Sequence, residues 1–189
     1  MKRKPNTTAH NNMAENLSGM MVKRAIIILV FTFVIAGNLK AADIVLTDPQ
    51  QDGYTNDHEY NITDPVLLCG TKGYVAVMEF PVLPGIKIKK ARLTLHVIKV
   101  KKPGQVVLYH LENFNNGYAE TQDFYAAAGK LGQAEVEKPG EIVFDVTKTV
   151  KKDAQGPGGF TSYRLEGRGA ELVLSAYESG KDKSAIKIE

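Results

Sequence analysis

The sequence contains no tryptophan and only one cysteine, Cys69. A lone cysteine excludes a disulfide framework, a four-cysteine zinc site and a CxxC redox centre. Cys69 has no partner within the chain and reads as a small buried hydrophobe. Several catalytic fingerprints are also missing. There is no G-x-S-x-G elbow, no Walker loop and no Gly-rich dinucleotide turn. His58-Glu59 opens like H-E-x-x-H, but Ile62 stands where the second histidine is needed, so a helical zinc pair is absent. His58, His96 and His110 read as strand-surface or solvent-facing side chains. Charge of one sign is scarce too: 24 Lys+Arg face 21 Asp+Glu, a formal +3.

That small excess is concentrated at the amino terminus. Met21-Val22-Lys23-Arg24 is a short basic stretch, and Ala25–Gly37 follows with thirteen residues and no charge. A spanning helix needs about twenty such residues, whereas the apolar core of a signal peptide needs roughly 7–15. Asn38-Leu39-Lys40-Ala41-Ala42 supplies small residues for cleavage after Ala41 or Ala42. Residues 1–20 therefore read as a polar extension that precedes a late start codon, 21–41 as a signal peptide, and 42–189 as one domain. An uncleaved anchor and a buried core helix are the competing readings. Residues 1–41 hold six of the basic side chains (Lys2, Arg3, Lys4, Lys23, Arg24, Lys40) and one acid, Glu15, so 42–189 carries 18 basic and 20 acidic groups, a net −2. The expected location is secreted, periplasmic or cell-surface, with no stable membrane insertion after cleavage. A net-acidic exported domain is a poor nucleic-acid binder.

Beyond Asp43 the hydrophobic period is two. In Ala91–Val97, residues 91, 93, 95 and 97 are apolar and alternate with Arg92, Thr94 and His96. Glu141–Val146 and Glu171–Ala176 repeat the pattern. Further strands are expected at Ile44–Leu46, Val66–Cys69, Tyr74–Phe80, Ile86–Lys89, Val106–Leu111, Phe160–Leu165 and Ala185–Ile188. Pro84-Gly85, Pro103-Gly104 and Pro139-Gly140 mark turns, because proline presets φ and glycine accepts positive φ. A bulge near Lys89-Lys90 reconciles the parity of Ile86 and Ile88 with that of Leu93 and Leu95. Asp145 or Thr147 can cap a helical turn over Lys148–Lys152, and Glu120–Ala128 suits a short helix or an ordered loop. The fold class is all-β: a jelly-roll β-sandwich of about eight to ten short antiparallel strands.

Several segments fall into a familiar order. Ala76–Gly85 followed by Ile88–Leu95, then Val107-Leu108-Tyr109, Phe144-Asp145-Val146-Thr147-Lys148-Thr149-Val150 and Ser175–Ser179 together resemble the DNRLRE (disaggregatase-related) domains. The resemblance spans nearly all of Asp43–Glu189. It departs from the family pattern where Glu79-Phe80-Pro81-Val82 replaces Phe-Asp-Leu-Ser, and in lacking the family's tryptophans. It implies a jelly-roll module, non-catalytic and carbohydrate-binding. Phe80 and Phe144 are then core residues, and Asp145 accepts local backbone hydrogen bonds.

A sugar offers C–H faces to aromatic rings and hydroxyls to polar groups. The carbohydrate-binding candidates are Tyr54 and Tyr60 in the first acidic loop, Tyr118, Glu120, Asp123 and Tyr125 in the middle segment, and Tyr163 with Arg164; Phe124 neighbours the middle group. Half-buried packing is the competing reading for each ring. Lys87, Lys89, Lys90, Arg92, Lys99, Lys101 and Lys102 form a second candidate, a basic face for an acidic polysaccharide. Edge-strand lysines that block sheet-to-sheet pairing would look the same. Asp48, Asp52 and Asp57 offer hard oxygen ligands, so a structural calcium ion is a candidate beside a solvated acidic loop, and no cofactor is required. The expected function is an exported, non-catalytic polysaccharide-binding module. The alternatives are a structural or surface protein-interaction sandwich without sugar binding, and a small glycan-active hydrolase or lyase built on a carboxylate pair about 5–9.5 Å apart.

Overall fold

Among the described residues twelve strands form two antiparallel sheets of six. The structure is a computed structural model that describes residues 45–112, 116–124, 126–180 and 182–189. The segment expected to be a leader and Tyr125 lie outside the described residues. In chain order the strands are β1 (Val45–Thr47), β2 (Gln51–Thr55), β3 (Tyr60–Asn61), β4 (Val66–Cys69), β5 (Val75–Pro81), β6 (Ala91–Lys102), β7 (Gly104–Leu111), β8 (Ala128–Val136), β9 (Gly140–Asp145), β10 (Phe160–Arg168), β11 (Glu171–Ser175) and β12 (Ala185–Ile188). An α-helix, α1 (Thr147–Asp153), follows β9.

The first sheet is organised around β6, which pairs with β12 along Ala91–Thr94, with β9 along Arg92–Val97 and with β11 along Val97–Lys102; β4 extends it beyond β11 and β1 beyond β12. The second runs β3-β2-β5-β10-β7-β8. The chain is an all-β sandwich. Period-two alternation builds its core: Leu93, Leu95, Phe144, Leu172 and Leu174 from the first sheet meet Ala76, Met78, Phe80, Leu108, Tyr163 and Leu165 from the second. Phe80 and Phe144 are core residues, and Cys69 is fully buried. Burial pushes its thiol up to about 12, so it is not a reactive thiolate at neutral pH.

Strand β5 is buried on both faces from Val75 to Phe80. Its outer face is covered by the segment 116–124, which continues to Ala126: Ala119 and Ala126 pack on Val75, Val77 and Leu111 as a second, smaller apolar cluster. This strap is held largely by polar groups of the sheet. Gln51 accepts the Ala119 N–H (2.8 Å), Glu79 accepts the Gly117 N–H (3.2 Å), and Arg164 donates to the Asp123 and Ala126 carbonyls (2.8 and 3.3 Å).

Two expectations need correction, and the expected bulge takes a specific form. Ile86–Lys89 is not a strand; Ile88 still packs into the core, but the chain there is an open loop after the Pro84-Gly85 turn. Lys89 and Lys90 both donate their N–H to the single carbonyl of Glu189 (2.6 and 3.0 Å), and this two-against-one contact resets the parity before β6. His110 is not solvent-facing. It is 2% exposed, and its ring nitrogen lies 2.7 Å from Asp153.

Candidate functional site

Helix α1 is placed by a clasp at its first residues. Asp145 Oδ1 accepts the Thr147 N–H (3.0 Å), the local backbone bond expected of it, and the Thr147 hydroxyl (2.6 Å). Neither Asp145 nor Thr147 caps the helix: the N-cap is Val146, with no side-chain cap bond. Thr147 Oγ1 in turn accepts the Ala91 N–H at 2.9 Å, which joins the helix to the start of β6. Replacing Thr147 by Val removes both hydroxyl contacts and leaves the Ala91 N–H without that acceptor. The expected loss is about 1–2 kcal/mol in chemical denaturation, and an unchanged midpoint would contradict the role of the clasp.

Thr149, Val150 and Asp153 point inward, whereas Lys148, Lys151 and Lys152 are exposed. Between this outer helix face and the loop before β6 lies a groove of about 620 Å³, lined by Lys89, Lys90, Leu131, Asp145, Val146, Thr147, Lys148, Thr149 and Lys151. A second hollow of about 330 Å³, lined by Lys87, Ile88, Lys151, Gln155 and their neighbours, continues it through the shared Lys151. Four lysines thus line the groove, and Lys87 lines the adjoining hollow with the shared Lys151. Among the described residues none of the five has an ion-pair partner, whereas nearby Lys152 is paired with Glu112 at 3.4 Å. Among the described residues Asp145 is the only carboxylate in the lining. Its hydrogen bonds from the Thr147 hydroxyl and N–H, followed by the charges of Lys90 and Arg92, hold it below the ordinary carboxylate value.

Sequence reasoning placed Lys87, Lys89 and Lys90 in a basic patch, and the structure gathers them here. It does not gather the rest. Arg92 pairs with Glu189 (3.7 Å), and Lys99, Lys101 and Lys102 lie along the far half of β6. Lys148 and Lys151 were missing from that patch. Their i, i+3 spacing beside Asp145 is the signal that could have found them.

The tyrosine candidates do not form a platform. Tyr163 has no exposed surface and cannot stack on a ligand; its hydroxyl bonds Thr149 and Thr161, each at 3.0 Å, inside the core. Arg164 is buried and committed to the strap and to Glu166. Asp123 is fully buried and accepts the Glu120 N–H at 2.7 Å. Tyr54 is half-buried, bonded to Asp64 and packed edge-on against Tyr74 at 4.9 Å. Tyr60 and Tyr118 are exposed. Tyr54, Tyr60 and Glu120 do share a crevice, but it is too narrow to admit water.

The three acids suggested for calcium have separate partners. Asp48 pairs with Lys183 (3.7 Å), Asp57 with His58 (3.4 Å), and buried Asp52 accepts the Tyr177 N–H (3.0 Å). Among the described residues no group of three His, Cys, Asp or Glu is placed to hold a metal ion. No described helix is long and apolar enough to cross a membrane. Neither a comparison with protein-family models nor one with curated proteins finds a match for the chain.

Proposed function

We propose that this chain is an exported, non-catalytic β-sandwich module that binds acidic polysaccharide in the lysine-bordered groove. The observation that carries the reading is the set of five lysines, 87, 89, 90, 148 and 151, around the groove and its adjoining hollow, without ion-pair partners among the described residues. Unpaired cations at a concave surface attract a polyanion over a Debye length of about 8–10 Å at physiological salt. The open, shallow shape suits a chain better than a small molecule. The buried state of Tyr163 and Arg164 shifts the reading from aromatic stacking towards charge.

The test is affinity electrophoresis or calorimetry on a panel of acidic and neutral polysaccharides. The Lys148→Glu/Lys151→Glu double variant should bind a polyuronate at least about tenfold more weakly, and the parent's affinity should fall steeply with added salt. Equal retention of parent and variant, or no retention of the parent on any acidic polymer, defeats the proposal. A second reading, a protein-contact surface, is favoured by Ile98 and Val143, about half exposed on β6 and β9. Light scattering that finds a concentration-dependent oligomer abolished by Val143→Lys would support it.

A further inference from the structure

The opposite end of β6 carries a different kind of depression. At about 3.3 Å per residue the eleven steps of β6 separate its two ends by at most roughly 36 Å. Here the β4–β5 turn, the start of β7 and the β10–β11 turn converge. Their closeness depends on glycine. A Cβ on Gly70 would lie 1.9 Å from the Ala170 carbonyl oxygen, and one on Gly167 would lie 2.4 Å from the same atom. Within the β4–β5 turn Lys72 holds φ 52, a left-handed conformation uncommon outside glycine and often found near binding sites.

These turns enclose a pocket of about 370 Å³ with Gly70, Gly73 and Gly167 in its wall, and Tyr74, Glu166 and Arg168 as its functional side chains. Gly73 has nothing within 4 Å of the position its Cβ would take, so the space beside it is open. Glu166 accepts from Arg164 Nη2 on one oxygen and from Arg168 Nη2 on the other, each at 3.1 Å. Arg168 Nη2 also donates to the Tyr109 hydroxyl at 3.0 Å. Both of these Arg168 bonds use the same nitrogen, so Nη1 and Nε remain as donors towards a ligand. Tyr74 is fixed by its hydroxyl bond to Glu59 and by edge packing on Tyr54.

The two charged side chains of the lining, Glu166 and Arg168, are of opposite sign. An anion meets the Glu166 carboxylate, and a cation meets the Arg168 guanidinium. The chemistry that fits is a neutral group presenting a donor and an acceptor on adjacent atoms, next to an apolar face. A vicinal diol of a sugar ring supplies this, with one hydroxyl donating to Glu166, its neighbour accepting from Arg168, and the C–H edge on the Tyr74 wall.

We infer that this glycine-walled pocket is a second ligand site, separate from the lysine groove, that takes a neutral sugar through a vicinal diol on Glu166 and Arg168. It does not depend on the groove binding anything. The test is amide chemical-shift mapping of the full chain with glucose, galactose, mannose and xylose at up to roughly 50 mM each, in the range of millimolar single-site affinity. Saturable shifts at residues 70–75 and 166–168 are expected for at least one sugar. Arg168→Ala and Glu166→Gln should weaken that binding by at least about tenfold, while Lys148→Glu/Lys151→Glu leaves it unchanged. The milder Arg168→Lys, at a half-exposed position, keeps the test valid if Arg168→Ala fails to fold. No saturable shift with any of the four sugars, or unchanged affinity in both Glu166→Gln and the Arg168 variants, overturns the inference.

Discussion

Glu79→Gln is expected to melt about 10 °C above the parent at pH 8–9 and at nearly the same temperature near pH 4. Glu79 is fully buried under the strap. One carboxyl oxygen accepts from the Ser162 hydroxyl (2.5 Å) and the Gly117 N–H (3.2 Å); the other has no hydrogen-bond partner among the described residues. Burial pushes this carboxyl up to about 8, the charges of Asp123 and Asp153 add to the rise, and the two hydrogen bonds oppose it. In the unfolded chain the carboxyl titrates near 4.5. Below that value it is protonated in both states and has no pH-dependent effect. As the pH rises from there to about 8, the unfolded chain releases the proton while the folded chain keeps it, so stability is lost. Each step of one pH unit costs about 1.4 kcal/mol, or about 3–5 kcal/mol over the whole window. Glutamine keeps the acceptor for Gly117 and Ser162 and carries no titrating proton. Burial also raises Asp52 to about 7 and Asp123 to about 6, so the parent as a whole should lose stability over the same range. Thermal unfolding of both proteins at about pH 5, 7 and 9 checks this. Parallel curves for parent and variant would show that Glu79 is not the titrating group.

Glu79 also shows where sequence reading stopped. The alternation in β6, β9 and β11 is visible because one face of each strand meets solvent. In β5 both faces are covered, so Val75–Phe80 reads as a continuous run with one acid inside it, and nothing in the run announces the strap. Strands β2 and β8 were missed for the opposite reason. Gln51-Asp52-Gly53-Tyr54-Thr55 looks like a polar loop. β8 places Gly129, Lys130, Gly132, Gln133 and Glu135 along the edge of its sheet, with no apolar period to detect. Gly132 is small because the Phe144 ring sits 3.2 Å from where a Cβ would stand, a constraint set by another strand. The groove was half legible for a similar reason. Lys89-Lys90 and Lys148-Lys151 are far apart in the chain, and it is the contact of Thr147 with Ala91, 56 residues away, that makes them neighbours.

Asp153→Ala is expected to cost about 3–5 kcal/mol, the range for breaking a buried polar pair by removing one partner. Asp153 is the last residue of α1, and its Oδ2 lies 2.7 Å from His110 Nε2 on β7, with both side chains almost wholly buried. Alanine leaves the imidazole in a dry interior, packed against the Tyr163 ring at 5.9 Å, with no partner for that nitrogen. The same change loosens α1. The helix is tied at Thr147 to Ala91, at Thr149 to the Tyr163 hydroxyl, at Val150 to the core and at Asp153 to His110. Three of these ties lie in its first four residues; the end that carries Lys151 is held by Asp153 together with buried Ala154, so losing Asp153 loosens that end. The groove should then lose affinity for an acidic polymer at temperatures where Asp153→Ala is still folded. Lys151→Ala, an exposed change, should alter stability by no more than about 0.5 kcal/mol while also weakening binding. Asp153→Asn keeps an acceptor oxygen of the same shape and should recover part of both losses. Denaturant unfolding beside binding separates the outcomes. A loss below about 1 kcal/mol in Asp153→Ala would mean that the buried pair does not hold the helix, and unchanged affinity in the folded variant would mean that the helix does not set the groove.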